Sequence, residues 1–126
     1  MRSAKQVLTD QELEIMKVVW DLEKATVRDV YEKLRARRQI AYTTVMTMMK
    51  ILETKGHLKK TQEERAFLYK PTKPKQQVIR GMVQEFIQRV FNGSAEPLLV
   101  HLVQDEGLTS KDLADIARLA GRKPKA

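Results

Sequence analysis

The stretch that most limits how this chain can fold is residues 40–56, IAYTTVMTMMKILETKG. Read as a helix, it places Val45, Met48 and Leu52 on one face at i, i+3, i+7 spacing, with Thr43, Met46, Thr47 and Lys50 on the other. The apolar stripe is ordinary. The opposite face is not, because it is uncharged at its start and built mostly from threonine and methionine, where a solvent-facing helix usually carries Glu and Lys. Small hydroxyls and a flexible thioether suit a helix end that lies close to another surface. Gly56 stands where a left-handed C-cap is expected.

Charge gives that surface a sign. The chain of 126 residues carries a formal +8, which favours a polyanionic partner such as nucleic acid or an acidic membrane surface. Between residues 24 and 60 there are ten Lys/Arg against three Asp/Glu, whereas residues 96–119 hold two against five. Arg35, Arg37 and Arg38 precede the helix and Lys55, Lys59 and Lys60 follow it, the layout of a recognition helix between phosphate anchors. For the Arg35–Arg38 run the alternative is a solvated helix end, where cations complement the dipole.

Upstream, residues 1–8 read as a loose basic arm. Thr9 and Glu12 then form a capping-box pattern opening a helix to about Leu22, with Leu13, Met16, Val19 and Trp20 on its apolar side. Trp20 on that stripe is read as core rather than as a stacking platform. Thr26, with Asp29 three residues on, caps a second helix whose stripe is Val27, Val30, Tyr31 and Leu34. Downstream, residues 57–61 and 66–70 read as strands around a polar turn at 62–65, with Leu58 and either Phe67 or Tyr69 pointing inward. A two-stranded ribbon is marginal alone and must pack on the helices. Three helices and a terminal hairpin describe a winged helix. Arg65 near the turn tip is a candidate minor-groove or phosphate probe, with simple solvation the alternative. His57 has no second ligand at metal spacing and is read as structural.

Pro71-Thr72-Lys73-Pro74 breaks the composition and sets the expected boundary between a DNA-binding domain, 1–72, and a helical domain, 73–126. Thr72 is a possible cap for a long helix reaching Phe91, with Val78, Met82 and Phe86 on one side and Ile79, Val83 and Ile87 beside them. Ser94 is expected to cap a helix containing Leu98, Leu99, Leu102 and Val103. Thr109 with Asp112 forms another capping box ahead of Leu113, Ile116, Ala117 and Leu119. Residues 122–126 read as a frayed basic tail. Three short helices of about 45 residues cannot enclose a core of their own. The expected partner is a second copy, with Val78, Met82, Phe86, Leu98, Leu102, Leu113 and Ile116 as dimerisation residues.

Several classes drop out. With no cysteine, disulfides, zinc fingers and thiol redox sensing are excluded. No apolar run approaches the roughly 18 residues a bilayer span needs. The first residues, MRSAKQVLTDQE, lack the apolar core of a signal peptide, so a cytoplasmic protein is expected. There is no Gly-rich phosphate loop, metal motif or nucleophile elbow, and the neighbouring Glu63 and Glu64 sit on a turn with no enclosing pocket. Neither enzyme activity, cofactor nor metal is expected. Besides DNA binding, a winged helix can serve as a protein-interaction module.

The stretches LTDQELEIMKVVW, TVRDVYEKL, AYTTVMTMMKILETKGHL and AFLYKP together resemble the penicillinase-repressor family, the BlaI/MecI type of bacterial winged-helix repressor. The similarity runs through the helical tail. It implies a homodimer that represses transcription from a two-fold symmetric operator, often of its own operon and of antibiotic-resistance genes. It also implies that Thr43, Thr44, Met46, Thr47 and Lys50 enter the major groove, with Thr44 alternatively a helix cap or phosphate contact. Family derepression proceeds by proteolysis under a membrane-bound sensor protease, at an Asn-Phe bond in the helix after the long dimerisation helix. The matching segment here is LLVHLVQ, which puts His101-Leu102 at that position. A copper-responsive branch uses a cysteine-rich tail, and this cysteine-free chain has none.

Overall fold

The computed structural model describes residues 7–121. The expected basic arm and frayed tail lie, for residues 1–6 and 122–126, outside the described residues. The elements run α1 (Asp10–Leu22), α2 (Val27–Arg35), α3 (Tyr42–Thr54), β1 (Leu58–Glu63), β2 (Ala66–Pro71), α4 (Lys75–Phe91), α5 (Glu96–Asp105) and α6 (Ser110–Leu119). The result is a mainly α chain with a small β-hairpin wing. Two compact units are formed, and the division falls inside α4, after Gly81.

Local chemistry sets most helix ends. Thr9–Glu12, Thr26–Asp29 and Thr109–Asp112 each make a complete capping box, opening α1, α2 and α6. At the end of α3, Gly56 adopts φ 88°, and the N–H groups of Gly56 and His57 donate to the carbonyls of Glu53 and Leu52. That is a Schellman closure, which satisfies two otherwise orphaned carbonyls. Two expected caps fail. The Thr72 hydroxyl donates to the Gly56 carbonyl at 2.7 Å, tying the hairpin exit to the end of α3. Ala95, not Ser94, is the N-cap of α5, and the Ser94 hydroxyl only accepts from the Glu96 N–H at 3.4 Å.

The core of the first unit draws on every element from Leu8 to Tyr69. Leu8, Ile15, Met16, Val18, Val19, Ala25, Val30, Leu34, Val45, Met49, Leu52, Leu58 and Tyr69 are its buried apolar residues. Burying each large aliphatic side chain contributes about 1.5–3 kcal/mol. Three expectations are corrected. Leu8 belongs to the core, not to a loose arm. On α3 the stripe is Val45, Met49 and Leu52, whereas Met48 is half-buried. Position 49 lies about 40° from 45 around the helix and 48 about 60° to the other side, so a packing direction slightly off the expected one decides between them. On α1, Ile15 and Val18 are buried while Leu13 and Trp20 are half-buried, because α1 packs against α2, α3 and β2 at once and is covered over a wide arc.

The hairpin pairs antiparallel, with Leu58 opposite Pro71, Lys60 opposite Tyr69 and Gln62 opposite Phe67. Its turn is Glu64-Arg65, tighter than expected, with Glu64 at φ 56°. Tyr69 takes the inward position and Phe67, two residues nearer the tip, is 50% exposed. Ala25 and Tyr69 exchange backbone hydrogen bonds of 3.0 and 2.8 Å, which occupies the second edge of β2. The Trp20 indole N–H donates to the Lys73 carbonyl at 3.2 Å, fixing the chain as it leaves the wing. That bond explains why Trp20 is not fully enclosed.

Candidate nucleic-acid interface

α3 is held by its buried stripe, and its opposite face stands open. Thr43, Thr44, Met46, Thr47 and Lys50 are all exposed. Thr43, Met46, Thr47 and Lys50 fall within an arc of about 100° whose centre lies about 140° around the helix from that of Val45, Met49 and Leu52. Thr44 lies to one side, in the first turn. It does not cap the helix: Ala41 is the N-cap, without a side-chain cap hydrogen bond. Lys50 makes no ion pair with any other described residue.

The flanking cations divide by what they touch. Arg37 is exposed after α2, its N–H donating to the Leu34 carbonyl at 2.9 Å. Arg38 forks onto Glu14 of α1, with Nη2 to Oε1 at 2.8 Å and Nε to Oε2 at 3.3 Å. The Arg38 hydrogen bonds hold the Glu14 carboxyl below its ordinary value against partial burial. Arg38 therefore positions the α2–α3 connection while remaining at the surface. Arg65 is exposed at the wing tip.

Lys55 is no phosphate anchor. Its Nζ lies 2.8 and 3.0 Å from the two carboxylate oxygens of Glu12 and 3.4 Å from the Val7 carbonyl. Glu12, only 5% exposed, also accepts the Thr9 N–H at 3.0 Å. Burial opposes its charge, but Lys55 and the Thr9 hydrogen bonds outweigh that, so its carboxyl titrates below the usual carboxylate range. Lys60 lies over the Phe67 ring, 4.7 Å from its centroid, and 4.0 Å from Glu53.

Two pairings escaped the sequence reading, which named Lys59 and Arg35 but not their partners. Lys70 stands opposite Lys59 in the hairpin register and both are exposed, a like-charged pair that an anion would relieve. Along α2, Arg28 and Arg35 share the Glu32 carboxylate at 3.0 and 2.9 Å. Arg28 lies over the Tyr42 ring and Arg35 over the Tyr31 ring, at 5.8 and 5.6 Å from the centroids. The spacing i, i+4, i+7 held the signal for the charges, but only the packing of α2 on α3 brings Tyr42 to them.

Along α4, α5 and α6 no residue is buried. Val78, Met82, Leu98, Leu102 and Leu113 are half-buried, and Phe86 and Ile116 are 40% and 48% exposed. His101 is exposed on α5, with Nδ1 3.0 Å from the Asp105 carboxylate and its ring 6.3 Å from that of Phe91. Among the described residues no group of three or more His, Cys, Asp or Glu side chains converges for a metal. Glu63 pairs with Lys24 at 3.4 Å, while Glu64 sits on the tip.

Comparison with known proteins meets this geometry at two scales. The family model described as Penicillinase repressor matches residues 8–122, from the first core residue through α6. The chain belongs to the penicillinase repressor family. Within it, the Transcriptional regulator BlaI of Mycobacterium tuberculosis is 36% identical over 126 residues, covering 94% of this chain and 91% of that protein. The Penicillinase repressor of Bacillus licheniformis is 25% identical over 112 residues, covering 89% and 88%. Among solved structures, the DNA-binding domain of the repressor BlaI matches with a TM-score of 0.51 and 32% identity, over 60% of this chain and 90% of that one.

Proposed function

We propose that the protein is a DNA-binding transcriptional repressor, acting as a homodimer in the cytoplasm on a two-fold symmetric operator. The observation that carries this reading is the α3 surface: an open, hydroxyl- and thioether-lined face on a helix whose other side is locked into the core. Thr43, Thr44, Met46, Thr47 and Lys50 would meet base edges in the major groove, where a threonine methyl packs on a thymine methyl and its hydroxyl reaches base or phosphate. Arg37, Arg38 and Arg65 would contact phosphate and set register without reading sequence. Residues 1–72 would be the DNA-binding domain and 73–126 the dimerisation domain. Support for the dimer comes from α4, α5 and α6, whose apolar residues find no enclosure in one chain.

Control of its own operon and of antibiotic-resistance or stress genes belongs to the same reading, as does release by proteolysis under a membrane-bound sensor protease. The His101-Leu102 peptide lies inside α5. A protease needs extended backbone, so cleavage there requires α5 to open locally first. No helix among the described residues is long and apolar enough to cross a membrane. Catalysis has no part in this role.

Genomic footprinting with the purified protein at two salt concentrations tests it. Protection of a two-fold symmetric site upstream of its own gene, weakening as salt rises, is the expected result, since phosphate neutralisation releases counterions. Protection nowhere would refute sequence-specific binding and favour a protein partner for the winged helix.

A further inference from the structure

Arg28, Glu32 and Arg35 occupy one face of α2 at i, i+4, i+7, and Glu32 bridges both guanidinium groups at 3.0 and 2.9 Å. The guanidiniums also lie across two tyrosine rings, Arg28 on Tyr42 and Arg35 on Tyr31. The circuit closes because those rings meet edge to face, with centroids 5.4 Å apart and planes at 78°. Tyr42 is the first residue of α3, so the circuit joins α2 to the start of the helix whose outer face is open. Its charged members stand outside the core: the side chains of Arg28, Arg35 and Glu32 are 68%, 56% and 44% exposed, and the buried residues of α2 are Val30 and Leu34.

Exposed ion pairs contribute little to stability, so their effect on folding does not explain five side chains in one closed arrangement. Its chemistry does point to a ligand. Two guanidiniums stacked on aromatic rings have restricted motion while their N–H edges remain available, and planar donor forks match phosphodiester oxygens. The single carboxylate between them leaves one net positive charge and occupies donors that a phosphate would otherwise take.

We propose that Arg28 and Arg35, aligned by Tyr42 and Tyr31, form a further contact site for duplex phosphodiester, and that Glu32 is a positioning residue which restrains it. Glu32 holds both guanidiniums in place when DNA is absent and competes with backbone phosphate when DNA is present. Encounters with arbitrary sequence therefore gain less from this pair than complexes in which α3 is seated and the phosphates are brought close. The proposal rests on the DNA-binding reading and adds a restraint on non-specific binding to it.

The test is anisotropy of a labelled random-sequence duplex with the full-length protein across a salt series. The variants are Glu32→Gln, Arg28→Gln with Arg35→Gln, and the triple combination, each checked for unchanged thermal unfolding. Glu32→Gln is expected to tighten binding about threefold at low salt, two weak surface pairs having been released. Removing both arginines is expected to reduce the magnitude of the slope of log affinity against log salt by about 2 in the Glu32→Gln background, near 0.9 per phosphate contact, and by less where Glu32 is present. Glu32→Gln is expected to change nothing in the double-variant background. A threefold gain persisting there would reduce Glu32 to a general charge effect and overturn the proposal, as would a slope that is the same in Glu32→Gln and in the triple combination. Wild-type protein without salt-dependent binding would overturn the DNA-binding reading itself, and this proposal with it.

Discussion

Lys55→Met isolates the contact that the sequence reading assigned wrongly. Methionine keeps the length and apolar stem of lysine but removes the ammonium 2.8 Å from Glu12, leaving a carboxylate whose side chain is 6% exposed. Removing one partner of a buried pair costs about 3–5 kcal/mol. Two features lower that here. Lys55 is 18% exposed, so water reaches the gap, and the Thr9 N–H still donates to Glu12. A loss of about 2–3 kcal/mol is expected, or a urea midpoint lower by about 2 M for a unit of this size. Trp20 is the only tryptophan, and it lies on α1 with its N–H on Lys73, so its fluorescence follows the first unit. The pH dependence supplies the stricter check. In the wild type the Glu12 carboxyl is held below 4.5, so its contribution is fully present above that pH and is lost as pH falls through the folded value. In the variant the Lys55 hydrogen bond and charge no longer oppose burial, so the carboxyl rises relative to the wild type and protonation relieves part of the defect. The gap between wild type and variant must therefore narrow from pH 7 to pH 4, and adding Glu12→Gln to Lys55→Met must restore part of the loss. A gap under about 0.5 kcal/mol, or one independent of pH, would refute the assignment of Lys55 to the fold.

Lys50→Ala is expected to weaken binding to the protected site about tenfold and relax its sequence preference, with urea unfolding unchanged within about 0.5 kcal/mol; competition between site and random duplex reads the difference. Phe86→Glu places a charge on an apolar residue 40% exposed on α4, and sedimentation should find monomer at micromolar concentration, with DNA affinity falling because two half-sites are no longer linked. Gly56→Ala meets no atom within 4 Å of the added Cβ, so its effect comes only from φ +88°. A loss of about 1–2 kcal/mol is expected from the left-handed conformation, measured by Trp20 fluorescence in urea.

What the sequence determined by itself is whatever depends on residues three or four apart. The three threonine capping boxes, the glycine closing α3, the order of helices and strands and the open Thr/Met face are all legible because donor, acceptor and period lie within one or two turns of the same chain. Tertiary structure decided which neighbour wins wherever two similar residues compete. Met49 is buried rather than Met48 and Tyr69 rather than Phe67, since the direction of the adjoining element, not the local pattern, selects the side chain. Charge was the least legible property. Lys55, Arg38 and Lys50 look alike in sequence, yet Lys55 is enclosed against Glu12, Arg38 is forked onto Glu14 and Lys50 is exposed on the candidate interface. A long cation has the same local propensity in all three settings. Its role is fixed by carboxylates 43 and 24 residues away in the chain, which only folding brings within hydrogen-bonding distance.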